Sequence, residues 1–124
     1  MPTTLVLFFQ ELGGRAPVLE WLRELDRWNP EAFDKCTVGI TRLRALGYEL
    51  RRPAADYLGD GLYELRLRSG RVHYRILYFF HGRGVAVLVH GLTKEGAVPE
   101  QDIARALRRK RAFEASPERH MREE

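Results

Sequence analysis

Between positions 64 and 94 the chain gathers side chains suited to chemistry on a phosphodiester: Glu64, Arg66, Arg68, His73, Arg75, His90 and Lys94. Side chains alternate along a strand, so parity sorts them into faces. Glu64, Arg66 and Arg68 share one side of a first segment, while Tyr63, Leu65 and Leu67 take the other. In a second segment His73 and Arg75 share a side, opposed by Val72, Tyr74, Ile76 and Tyr78. In a third, Ala86, Leu88 and His90 fall together. If the polar sides coincide, Glu64, Arg66, Arg68, His73 and Arg75 form one surface, with His90 and Lys94 at its rim. Arg75 is the most informative of these residues. It interrupts an aromatic and aliphatic strand, where a guanidinium is costly unless something occupies it.

Such a set suits metal-independent cleavage of RNA. The ribose 2′-oxygen serves as the nucleophile, so the protein supplies a proton acceptor, cations for the phosphorane and a donor for the leaving 5′-oxygen. Arginine's fork matches phosphate geometry. Glu64, His73 and His90 are the candidate bases, and histidine titrates in the useful range. Tyr78, like Tyr74, could stack on a splayed base if exposed. A blander reading stands beside each: Glu64 as an ion-pair partner of Arg66 or Arg75, the histidines as hydrogen-bonded structure, the aromatics as core. Neither a carboxylate cluster nor His/Cys spacing suggests a metal, and no cofactor is expected.

Charge narrows the choice of partner. The 124 residues carry 21 basic and 17 acidic side chains, a net +4. Residues 1–60 hold 8 basic and 9 acidic, residues 61–94 hold 6 and 1, and residues 95–124 hold 7 and 7. Arg105 to Arg111, with Arg108 and Arg109 at its centre, packs five cations into seven positions. Clustered cations favour a polyanion through counterion release, although a solvated basic face has the same composition. The lone cysteine, Cys36, excludes a disulfide framework and reads as a buried thiol in a cytoplasmic protein. No apolar run approaches a membrane span, and residues 5–9 are too short for a signal-peptide core.

Surrounding elements must hold these residues in place. Thr4 to Phe9 reads as a buried strand. Pro17 opens a helix with Val18, Trp21, Leu22, Leu25 and Trp28 at helical spacing. Asn29-Pro30 caps and starts a second, with a stripe of Phe33, Cys36, Ile40, Leu43 and Leu46 ending at Gly47. Gly39 in its interior costs about 1 kcal/mol of helix propensity. Residues 48–61 read as a loop. Leu62–Arg68, Val72–Phe80 and Val85–Leu92 form a three-stranded meander, and Pro99 starts a last helix. The expected fold is α+β, an antiparallel sheet of the N-terminal strand and the meander. A helical hairpin packs on one face, and the C-terminal helix follows. Residues 1–115 make one domain, and 116–124 a charged, flexible tail.

The stretch GLYELRLRSGRVHYRILYFFHGRGVAVLVHGLTKEGAVPEQDIARALRRKRAF resembles the phage-derived Gp49-like branch of the RelE/HigB toxin superfamily. An "LxELR" strand, a short turn, "YRILYFF", a strand ending "LVHGLTK", a proline-started helix and a basic run recur in register over about residues 48–114. The resemblance implies a RelE-like fold and a toxin of a type II toxin–antitoxin system. It implies an mRNA interferase that cuts messages on the ribosome, silenced by a cognate antitoxin, often a small helix-turn-helix protein. It also places Arg66, Arg75, His90 and Lys94 at the family's phosphate-binding and catalytic positions. One departure is Glu95, where the family commonly carries a second lysine. ParE toxins share the fold and inhibit DNA gyrase without cleaving anything, which keeps a non-catalytic alternative open.

Overall fold

The computed structural model describes residues 3–124. It runs β1 (Leu5–Phe9), α1 (Pro17–Trp28), α2 (Pro30–Leu46), a 3-10 turn (Gly47–Glu49), β2 (Ala55–Gly59), β3 (Leu62–Ser69), β4 (Val72–His81), β5 (Val85–Thr93), α3 (Glu100–Ala115), α4 (Pro117–His120) and β6 (Met121–Arg122). Asn29 caps α2 as its type suggests, its Oδ1 accepting from the Ala32 N–H at 3.2 Å. The hairpin α1–α2 covers one face of the sheet and α3 the other, so two apolar clusters sandwich the strands. Cys36 is buried in the hairpin cluster, and burial pushes its thiol up to about 12. No helix of the described residues is long and apolar enough to cross a membrane.

The strand order is β2-β3-β4-β5-β1-β6, a mixed sheet rather than the antiparallel one expected. β3, β4 and β5 form the antiparallel meander, but β1 lies parallel to β5, with Leu5 opposite Val85 and Phe8 opposite Leu88. A parallel pair needs a long crossover, and everything from α1 to β4 supplies it. This position explains why β1 is continuously apolar. Val6 and Phe8 face the hairpin while Leu7 and Phe9 face α3, so neither side is left to water.

Three further expectations change. Residues 48–61 are not all loop, because β2 pairs with β3 and forms one edge of the sheet. The segment 116–124 is not a free tail: β6 pairs antiparallel with β1, Phe8 opposite Arg122 and Phe9 opposite Met121. His120 anchors it, buried and stacked on Phe9 at 5.1 Å, with Nδ1 donating to the Gln10 carbonyl at 2.7 Å. Trp28, placed by periodicity on the apolar stripe, is 74% exposed and donates its indole N–H to Glu24 at 2.6 Å. The stripe has turned away from the core by the last turn of α1.

Glycines mark two close approaches. A Cβ on Gly39 would collide with the end of the Leu67 side chain, so glycine lets α2 lie against β3 without displacing that leucine. A Cβ on Gly91 would strike the Trp21 ring, which packs directly over β5. Both glycines trade local propensity for helix–sheet contact.

Candidate functional site

The β3–β4 register sets Arg66 opposite Arg75, Arg68 opposite His73 and Glu64 opposite Leu77. All lie on the α3 side of the sheet. Two arginines directly across a strand pair repel, so something must sit between their charges. Glu64 does this. Its side chain is 2% exposed; Oε1 accepts from Arg66 Nε and Oε2 from Arg75 Nη1 at 3.4 Å. A buried carboxylate is tolerated when paired in this way. Arg66 reaches further, donating to Asp56 Oδ2 on β2 at 3.1 Å, while Arg52 binds Oδ1 of the same group at 3.0 Å. The Arg52 guanidinium holds the Asp56 carboxyl below its ordinary range.

Above these groups lies an open cleft of about 510 Å³. Its floor is Glu64, Arg66, His73 and Arg75; its walls are Leu58 on one side and residues 96–98 with Ile103 on the other. Only 12% of the Arg75 side chain is exposed against 39% for Arg66, so one guanidinium lies deep and the other lies at the mouth. The cleft thus offers two fixed cations, a carboxylate and an imidazole to a common volume. A phosphodiester fits that donor set, because arginine binds phosphate oxygens bidentately.

His90 reaches this face by a route that parity misses. A bulge between Leu77 and Tyr78 leaves Leu77 opposite His90 but Tyr78 opposite Leu88, with Val89 as the extra residue. Ala86 and Leu88 therefore face the hairpin, while His90 faces α3. There it is buried rather than at a rim. Nε2 lies 2.7 Å from Asp102 Oδ1 and Nδ1 3.3 Å from Arg109 Nη1. Burial lowers its pKa more than Asp102 raises it, so the ring is neutral near pH 7. The partners then fix the tautomer: Nε2–H donates to Asp102 and Nδ1 accepts from Arg109. Arg109 also donates to the Val89 carbonyl at 2.7 Å, closing the bulge.

The remaining sequence candidates scatter. Arg68 is turned to the Gly70 carbonyl at 2.9 Å, outside the cleft. Lys94 is exposed beyond β5, its backbone N–H donating to the His73 carbonyl at 3.1 Å, which holds it near the His73 end of the site. Arg108 is exposed on α3. Tyr78 is not available for base stacking: it is 1% exposed in the hairpin-side core, stacked on Tyr63 at 5.4 Å, and burial drives its phenol pKa up. Asp56 and Leu58 fall in the segment whose composition reads as a loop, and Asp102, in the first turn of α3, carries no signal in the sequence that pairs it with His90. Among the described residues no three His, Cys, Asp or Glu side chains group as a metal site.

Fold and site together define a small α+β domain whose sheet carries a cleft of paired arginines over a buried carboxylate. The model of the family described as phage-derived protein Gp49-like (DUF891) matches residues 21–111, and the chain belongs to that family. The family is associated with the toxins of toxin–antitoxin systems, which points to an antitoxin as partner. No curated protein matches the chain.

Proposed function

We propose that the chain is the toxin of a type II toxin–antitoxin pair and that it cleaves messenger RNA on the ribosome without a metal. The observation that carries this reading is the Arg66–Glu64–Arg75 arrangement at the floor of the cleft. A phosphate entering the cleft competes with Glu64 for both guanidinium groups. As it takes them, a carboxylate oxygen is released within the same volume and accepts the proton of the 2′-hydroxyl. The 2′-oxygen attacks phosphorus, the bond to the 5′-oxygen breaks, and a 2′,3′-cyclic phosphate and a 5′-hydroxyl result. Arg75, held deep, stabilises the charge that develops on the phosphorane. His73 is the cleft imidazole positioned to protonate the leaving oxygen. Lys94, on its exposed segment, adds positive charge for the strand that enters. His90, with both ring nitrogens engaged, holds α3 to the sheet. A small helix-turn-helix antitoxin is the expected silencing partner, and the cytoplasm the expected setting.

A ParE-like inhibitor of gyrase is the second reading, and one observation favours it: Glu64 and His90 are both fully partnered, leaving His73 as the freest proton carrier on the face. Mapping message 5′ ends after brief induction separates the two. New cuts at codon boundaries, absent with Arg75→Ala at equal protein level, support cleavage. Intact messages with supercoiling inhibited overturn it in favour of gyrase.

A further inference from the structure

Edge strand β2 has a second concavity on the hairpin side of the sheet, about 410 Å³ in volume and lined by Tyr48, Arg51, Arg52, Asp56, Tyr57 and Tyr63 among others. That volume is within the range of small-molecule sites, about 300–1,000 Å³. Its aromatic rings are unusually open: Tyr57 is 54% exposed and Tyr48 51%. They are nonetheless held. Tyr57 Oη accepts from the Gly61 N–H at 2.9 Å, and Tyr48 Oη donates to the Gly82 carbonyl at 2.9 Å. Tyr57 leans on Tyr63 at 4.9 Å, and Tyr63 stacks on buried Tyr78, so a ladder of rings runs from the core to the surface. Arg51 is exposed, and no ion pair involving it is formed among the described residues.

We propose that this pocket receives a base of single-stranded RNA, one neighbouring the nucleotide whose phosphate lies in the cleft. The inference rests on the cleavage reading above and adds a specificity subsite to it. Tyrosine faces bind bases by stacking, and adjacent arginines take the flanking phosphates. The two sites are joined through β2. Leu58 walls the cleft and Tyr57 the pocket, consecutive residues pointing to opposite sides of one edge strand. Asp56 ties Arg52 in the pocket to Arg66 in the cleft. A strand leaving the cleft crosses β2 and meets the tyrosines, and the unpaired backbone groups of the edge face it on the way.

The test uses the full chain and a labelled 2′-O-methyl RNA oligonucleotide, which cannot be cut, beside the same oligonucleotide with abasic positions. Tyr57→Leu should weaken binding of the base-bearing RNA about tenfold and leave the abasic RNA within about twofold of wild type. Tyr57→Phe, which keeps the ring, should bind as wild type, and thermal unfolding of each variant checks the fold. Unchanged affinity of Tyr57→Leu, or an equal loss on abasic RNA, overturns the base pocket. If Arg75→Ala weakens binding and Tyr57→Leu does not, the cleft stands and the pocket falls. If wild type binds no RNA, the base pocket falls, whereas cleavage on the ribosome stands or falls by the mapped message 5′ ends. Impaired neutralisation by antitoxin with RNA binding intact would assign the surface to a protein instead.

Discussion

Two polar clusters share the α3 side of the sheet and are made of nearly the same parts. One is Glu64 with Arg66 and Arg75; the other is His90 with Asp102 and Arg109. In the first the carboxylate lies in the sheet floor and its cations face an open cleft. In the second a helix supplies the carboxylate and the arginine, and by doing so seals the imidazole beneath it. Residue type does not separate a site from a structural tie here. What separates them is which element brings the partner: a neighbouring strand leaves the face open, whereas a packed helix closes it.

Substitutions sharpen that contrast. Arg75→Ala should lower RNA cleavage by about 10²–10³-fold, the cost of losing one donor to transition-state charge, measured in single-turnover assays with purified protein. Activity within tenfold of wild type would mean that the open cluster is also only structural. Glu64→Gln takes away the carboxylate between two facing guanidinium groups, leaving Arg75 without a counter-charge and Arg66 with Asp56 alone. Loss of one partner from a buried pair costs about 3–5 kcal/mol; with Arg66 partly in water, roughly 2–3 kcal/mol is expected from urea unfolding. Asp102→Asn in the closed cluster should cost only about 1–2 kcal/mol and leave cleavage within about twofold. A large loss of kcat there would move His90 back into the chemistry.

The closed cluster also has a pH signature. His90 has a folded pKa below its ordinary value near 6.5 because of burial. The unfolded chain therefore binds more protons than the folded one as pH falls below about 6.5, and this contribution to stability is full above that value and lost beneath it. Tm should drop more steeply from pH 7.5 to 5.5 in wild type than in His90→Gln. Equal slopes would refute burial as the controlling effect. The smallest effect belongs to the C-terminal anchor: His120→Ala should cost about 1 kcal/mol and speed amide exchange at Gln10, which donates to the His120 carbonyl at 2.9 Å.

Local patterns in the sequence located most elements but not their partners. Periodicity and caps place α1, α2 and the meander, and parity on β3 and β4 puts Glu64, Arg66, His73 and Arg75 on one face, while the Arg68 side chain turns away to Gly70. Parity fails on β5, because a bulge leaves no mark in residue types and one inserted residue reverses every face beyond it. It also explains Tyr78: its position opposite Arg75's face already allied it with Tyr74 and Ile76 in the core. The parallel pairing of β1 depends on contacts about 80 residues away in sequence, which no local window holds. Asp56 and β2 were missed because Pro53, Gly59 and Gly61 resemble a loop, and edge strands tolerate such residues.

The two-residue strand β6 has an importance out of proportion to its length. It pairs with Phe8 and Phe9 on the free edge of β1, a continuous run of leucine, valine and phenylalanine. Such an edge, left uncovered, is a template for another chain's backbone. A version ending before Pro117 would keep every residue of the cleft and yet expose that template. Its failure in an expression trial would then report self-association during folding, and not the loss of any side chain of the cleft.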